Sequence, residues 1–278
     1  MQDLEDFSPV LNDIFDGARK MGLPARTLIS EYAPGQFEIV LEHSADAMRA
    51  ADDAILNKRL VKGVADRHGL VATFMAKPYA DHSGSGMHVQ VSLAGEGSSN
   101  LFAGEGANLT PHLAHAIGGL EAAMAESMAF FAPNANSYRR FRKNSYAPLA
   151  PAWAVDNRSV PLRVTAGRPE TRHLEHRVCG ADANPYVALA AVLAGIAEGI
   201  EKKIEPSEPV TGDGYGQKEA TLPLNWWKAL ETARNSSFLA ERLGKEFTNI
   251  FLTIKEVECD RFFASVSDVD VEWYLRNA

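Results

Sequence analysis

A mixed fold of interleaved strands and helices, either α/β or α+β, is what this sequence predicts. Three observations carry that reading. Helical periodicity appears early, in Val10, Leu11, Ile14, Phe15 and Ala18, and returns after Leu224. Alternation of apolar and polar residues lies between them, most cleanly in GMHVQVSL (86–93). The 278 residues are 46% hydrophobic and 23% charged, which supplies a sizeable core and rules out a disordered chain.

Taken in order, Phe7 to Met21 is expected to form an amphipathic helix that Gly22 stops. Leu28 to Glu31 and Phe37 to Glu42 are expected strands around a turn at Ala33-Pro34-Gly35. In the second, Glu38, Val40 and Glu42 share one face, and Phe37, Ile39 and Leu41 the other. Ala47 to Arg67 reads as a helix closed by Gly69, and Val71 to Lys77 as a strand ending before Pro78. From Gly86 to Leu93, His88, Gln90 and Ser92 face one way, while Met87, Val89, Val91 and Leu93 face the other. Residues 94–108 form a glycine-rich loop. Thr110 caps a helix that Pro111 starts and that is expected to reach Phe131. Residues 132–161 read as irregular. Leu162 to Thr165 and His173 to Val178 are expected strands, Ala181 to Lys203 a helix, and 204–222 a polar loop before the last helices. Loops as long as 94–109 and 132–161 are candidates for function.

Charge narrows the possible partners. With 28 Lys and Arg against 36 Asp and Glu, the net charge is −8, which argues against a nucleic-acid or anionic-membrane binder. The most apolar run, Tyr186 to Ile200, is too short to span a bilayer and contains Glu198. The opening MQDLEDFSPV lacks the pattern of a secretory signal. Cys179 and Cys259 match no zinc or redox spacing, so a reducing cytoplasm is the expected location.

No phosphate loop of the G-x-x-x-x-G-K-[ST] kind is present, and no G-x-G-x-x-G follows a strand. The informative signal is polar residues on apolar strands. Glu31 and Glu38 flank APGQ, His88 sits in a strand of Val, Met and Leu, and Glu175 lies between His173 and Arg177. Carboxylates with one imidazole suit Mg²⁺ or Mn²⁺ better than zinc. Arg140, Arg158, Arg163 and Arg177 accompany them, and guanidinium forks hold phosphate and carboxylate. Metal-binding acids beside phosphate-binding arginines are the parts of phosphoryl transfer from a nucleotide.

Six pieces carry a family pattern: EYAPGQFE (31–38), KPYADHSGSGMHVQVSL (77–93), NSYRRF (136–141), AP (147–148), DNRSVPLRV (156–164) and HLEHRVCGADANPY (173–186). In these residues, in this order, the chain resembles the glutamine synthetase family. The resemblance implies an α+β catalytic domain, with a curved, mainly antiparallel sheet backed by helices and a helical C-terminal tail. It also implies ATP-dependent activation of glutamate to γ-glutamyl phosphate, followed by attack of an amine, with Mg²⁺ or Mn²⁺ as cofactor. By resemblance, Glu31 and Glu38 hold one metal, and His88 and Glu175 the other. Arg158 and Arg163 contact phosphates, Arg140 and Arg177 the glutamate and the transferred phosphoryl group, Gly84 the glutamate, and Ser92 the adenine.

Three departures shape the expectation. Residues 1–278 correspond to the catalytic domain without the smaller β-rich N-terminal domain and the strand bearing two more metal-binding glutamates. They are expected to lack full metal coordination and turnover, whether as part of a longer protein or as a natural short paralogue. Tyr146 stands where ammonia-using members carry a flap glutamate, and a neutral phenol cannot replace that base directly. A phenol ring can instead wall an alkyl chain or face an organic ammonium, as the γ-glutamylpolyamine synthetase branch would require. Ser83, Gln90 and His173 also replace residues common near the family's substrates. The expectation is a ligase of glutamate with a polyamine-like amine, whose full-length parent forms a ring-shaped homo-oligomer. An ammonia-using glutamine synthetase and a non-catalytic scaffold or regulatory relative are the alternatives.

Overall fold

Two helices and a hairpin open the chain in the computed structural model, which describes residues 2–104, 108–217 and 219–277. Helix α1 (Gln2–Asp6) leads into α2 (Ser8–Met21), which Gly22 ends in a left-handed conformation, φ 67°, donating its N–H to Ala18 and Arg19. Strands β1 (Ala25–Ser30) and β2 (Phe37–Leu41) then pair antiparallel. Helix α3 (Ala47–Arg67) follows, with the Asp46 carboxylate capping its first turn. Val10, Leu11, Ile14 and Val64 form a small core against which Phe37 and Ile39 pack, as the alternation in β2 predicts.

The second sheet has the order β3-β6-β5-β4. Strands β3 (Val89–Val91), β6 (Leu174–His176) and β5 (Leu162–Val164) run antiparallel in turn, while β4 (Trp153–Val155) joins β5 in parallel. One face of this sheet is apolar. Val91, Leu162, Val164 and Leu174 are buried there in a single large core with the helices. Behind it, α4 (Pro111–Ala123) crosses α6 (Pro185–Lys202) at glycines. A Cβ on Gly119 would collide with the Gly195 carbonyl, and one on Gly199 with the His115 carbonyl, so the backbones touch.

Between these helices lie short α5 (Met128–Phe131) and, after α6, short α7 (Gly214–Gln217). Then come α8 (Trp226–Arg234), α9 (Ser237–Leu243), α10 (Lys245–Phe263) and α11 (Asp268–Tyr274). Ile250, Ile254, Phe263, Trp273 and Leu275 remain exposed along the last two. Among the described residues, no helix is long and apolar enough to cross a membrane. Both cysteines are free and buried.

The mixed fold class and the helical C-terminal region stand as expected, but four local expectations need correction. Residues 71–77 form no strand. They keep alternating burial, but among the described residues no strand pairs with them; Ser85 N–H donates to the Ala76 carbonyl at 2.8 Å, and the Asn136 side-chain amide bonds both Lys77 N–H and the Lys77 carbonyl at 2.9 Å. The helix from Pro111 breaks at 124–127, which lets the Phe131 carbonyl accept from Gly180 N–H at 3.0 Å. The strand expected over 86–93 is regular only from Val89 to Val91, with an isolated bridge from Gly86 to Gly180. Conversely, β4 lies inside the stretch read as irregular, because three residues are too few to display a period. The glycine-rich loop 94–108 is described up to residue 104; residues 105–107 lie outside the described part.

Candidate active site

Alternation decides which side chains of the second sheet can meet. Gln90 of β3 and Arg163 of β5 both pair in register with Glu175 of β6, so the three form one row on one face. His88 lies two residues before Gln90 and Arg177 two after Glu175, so both point the same way. This is the face opposite the apolar core.

Glu175 is the centre of that row. Its Oε1 lies 3.3 Å from His88 Nδ1 and 3.1 Å from Arg177 Nη1, and its Oε2 accepts from Arg163 Nη1 at 3.0 Å. Arg163 also reaches Asp156 Oδ1 at 3.2 Å. Burial pushes the Glu175 carboxyl up, but the hydrogen bond with His88 and the Arg177 and Arg163 cations outweigh it. The group is held well below the usual carboxylate range.

The hairpin supplies the second pair of acids. Its turn closes by Glu31 N–H to Gln36 O at 2.8 Å and Gln36 N–H to Ala33 O at 3.0 Å. This brings Glu31, just after β1, beside Glu38 in β2, close enough for its charge to act on the Glu38 carboxyl. Burial pushes the Glu38 carboxyl up, and the negative charges of Glu31 and Glu175 add to that, against the opposing pull of His88. Gln36 of the same hairpin bonds to Gly84 and Ser85, and Gly86 lies beside His88 Nε2, which sets the hairpin next to the sheet cluster.

Arg140 borders the same space. It is buried in a 3₁₀ turn (Ser137–Arg140) and donates from Nη1 to Val178 O at 3.1 Å. Burial draws its pKa down, with the Asp182 carboxylate opposing. A Cβ on Gly84 would come within 2.7 Å of Arg140 Cγ and 2.8 Å of Ala76 O. On Gly86 it would come within 3.3 Å of Arg140 Nη2 and of His88 Nε2. Glycines thus let guanidinium and imidazole approach the 83–86 backbone.

The structure brings Glu31, Glu38, His88, Glu175, Arg163, Arg177, Arg140 and Gly84 into one region. It does not tie the other three expected residues to it. Ser92 shares the polar face but is exposed and its side chain bonds to nothing among the described residues; the same holds for exposed Arg158 on the 156–161 loop. Tyr146 is 64% exposed on a turn where it and Asn144 have φ of 54° and 60°. Ser145 Oγ supports that turn by donating to the Arg140 carbonyl at 2.8 Å.

The chemistry of the donors fits a hard divalent cation; their number does not complete a shell. Among the described residues, no three His, Cys, Asp or Glu are arranged to hold an ion. Glu175 is also engaged by three donors. The pairs Glu31–Glu38 and His88–Glu175 each offer at most two protein donors, short of the six or so a hard divalent cation takes. An anion fits more directly: Nε of Arg163 and Nε of Arg177 are buried donors with no acceptor.

Three residues that matter here were missed in the sequence. Gln36 cross-links the hairpin to the 83–85 loop; its position between two acids in APGQ was the available signal. Asp156 pairs with Arg163. Tyr215 donates to the Ala147 carbonyl beside Tyr146 at 3.2 Å, its phenol pushed up to about 12 by burial, and nothing in the polar loop marked it. A cavity of about 410 Å³, bounded by Leu149, Val160 and Tyr215, lies behind the flap, and none of the expected site residues lines it.

Residues 1–274 match the family model described as the glutamine synthetase catalytic domain. The chain is 38% identical over 278 residues to gamma-glutamylputrescine synthetase of Escherichia coli strain K12, covering all of this chain and 59% of that protein. It is 35% identical over 273 residues to a glutamine synthetase of Thermus thermophilus, covering 95% of this chain and 61% of that one. A solved structure of a GmaS/ADP complex superposes with a TM-score of 0.89 at 30% identity, over 99% of this chain and 65% of its own. The chain thus spans about three fifths of the relatives it matches.

Proposed function

This chain belongs to the glutamine synthetase family through its catalytic domain, and from that premise we propose that its full-length parent is an ATP-dependent ligase. It joins glutamate to an organic, polyamine-like amine. The γ-carboxylate oxygen of glutamate attacks the γ-phosphorus of ATP and ADP departs. The amine nitrogen then attacks the acyl carbon, phosphate leaves, and a proton is lost from nitrogen. The observation that carries the ligase reading is the convergence of the Glu31–Glu38 pair with the Glu175 carboxylate gripped by His88, Arg163 and Arg177.

Each residue has a role in that sequence. Arg140 and Gly84 bind the amino-acid substrate, the guanidinium taking a carboxylate and the loop backbone passing close beside it. Arg177, with Arg140, meets the transferred phosphoryl group. Arg158 and Arg163 bind phosphates of ATP, and Ser92 the adenine edge. Glu175 keeps the Arg163 and Arg177 forks in place before substrate arrives, so no reorganisation is needed when negative charge accumulates. Glu31 and Glu38 on one side, and His88 and Glu175 on the other, would hold Mg²⁺ or Mn²⁺, with remaining ligands from outside residues 1–278. Such ions would supply charge neutralisation for phosphoryl transfer. The flap 142–147 excludes water that would hydrolyse an acyl phosphate.

The choice of an organic amine rests on Tyr146. An exposed phenol ring at the flap offers an apolar wall and a π-face for an alkylammonium. The E. coli relative, a gamma-glutamylputrescine synthetase by name, is in keeping with it. The parent is further read as cytoplasmic, from its two free cysteines, and as a ring-shaped homo-oligomer, from the family; the apolar residues left exposed along α10 and α11 are in keeping with subunit association.

The test is phosphate release by the full-length protein with glutamate, ATP and Mg²⁺, comparing putrescine, ethanolamine, methylamine and ammonium. Putrescine or another organic amine is expected to be best. Ammonium as the best substrate would make the protein an ordinary glutamine synthetase, and no release with any amine would leave a scaffold.

A further inference from the structure

The Gln36 side chain uses every hydrogen-bonding position it has. Its Oε1 accepts from Ala33 N–H at 3.2 Å and from Ser83 Oγ at 2.5 Å. Its Nε2 donates to the Gly84 carbonyl at 3.0 Å and to Ser85 Oγ at 3.2 Å. A primary amide offers two donors and two acceptor lone pairs, so nothing is left over. One end of this cross-link is the turn that sets Glu31 against Glu38. The other is the loop whose Gly84 lies against Arg140. Among the described residues, only this amide bridges the two by hydrogen bonds; the hairpin's apolar packing is to α2 and α3 instead.

We propose that Gln36 is a positioning residue that locks the acid-bearing hairpin to the Ser83–Gly84–Ser85 loop, so that the carboxylate pair and the glutamate-binding backbone keep one register. The part that concerns glutamate rests on the ligase reading above. The lock is specific for an amide. A carboxylate at this position still accepts from Ala33 and Ser83, but it turns a negative oxygen toward the Gly84 carbonyl, where a donor is needed. The partial burial of the site raises the cost of that mismatch. Two elements held this way respond together, so ordering one favours ligand binding at the other.

The experiment compares wild type, Gln36→Ala and Gln36→Glu in the full-length protein. Without any ligand, amide hydrogen exchange of 33–36 and 83–86 is expected to quicken about tenfold in both variants, while 153–164 in the sheet stays as in wild type. In turnover, KM for glutamate is expected to rise about tenfold, with kcat and KM for ATP changing less than about twofold. Unchanged exchange in 83–86, or exchange that quickens in the sheet as well, overturns the lock. So does wild-type behaviour of Gln36→Glu, because size alone would then suffice. If wild type ligates no amine to glutamate, the ligase reading fails, and the exchange comparison still decides the lock.

Discussion

Glu175 and Arg163 stand directly opposite each other on antiparallel strands, with Oε2 of the first 3.0 Å from Nη1 of the second. Register alone places both on the polar face, and nearly complete burial of Glu175 makes the contact strong. The carboxylate therefore pre-positions the guanidinium groups of Arg163 and Arg177 as a rigid anion-facing surface.

Removing the carboxylate takes from Arg177 its ion pair and leaves Arg163 with Asp156 in place of two counter-charges. Glu175→Ala is expected to lower stability by about 3–5 kcal/mol. Denaturant unfolding at pH 7 measures it, and a double-mutant cycle with Arg163→Ala should show strong coupling. A loss below about 1 kcal/mol would mean that the pair is effectively solvated.

Tyr146 lies at the flap with little burial, so exchanging it should leave the fold intact. Tyr146→Glu is expected to raise the kcat/KM ratio for ammonium over putrescine about tenfold or more, because a carboxylate attracts a small cation and removes the apolar wall. Amine competition assays on the full-length protein read this. An unchanged ratio would remove the flap from the specificity argument.

On the proposed reading, residues 1–278 supply only part of each divalent-cation shell. Calorimetric titration with Mn²⁺ is expected to show weak binding, and amide formation should be absent. Tight binding or measurable ligation by these residues would show that the ligands named here suffice.

Acid sensitivity should arise at the junction of α6 and α9. Glu198 is held below the ordinary carboxylate range by the hydrogen bond from Lys202, against its own burial, and then by Arg242. The unfolded chain takes up this proton at higher pH than the folded one. The contribution is therefore complete above the ordinary value of 4.5 and is lost as pH falls through the depressed folded value. Glu198→Gln is expected to lower Tm by about 2–4 °C at pH 7, with the gap closing on acidification. A gap that widened toward low pH would refute that sign.

Local pattern made much of the molecule legible. The α2 and α3 helices, the hairpin and the facing of His88 away from Val89 and Val91 follow from periodicity, which needs only near neighbours in the chain. The motif pieces pointed to one family because their order is specific even where each is weak. Residues 71–77 show the limit: alternation of burial is present, yet a strand also needs a partner, and among the described residues none pairs with them.

The sequence by itself determined the mixed α and β class, the faces of the strands and the family. Tertiary structure decided which distant groups touch: that Glu175 is shared among His88, Arg163 and Arg177, that Glu31 meets Glu38, and that Gln36 ties their hairpin to Gly84. The physical reason is that periodicity is a property of neighbours along the chain. Pairing across strands depends on register and on burial, which exist only once distant segments have packed together.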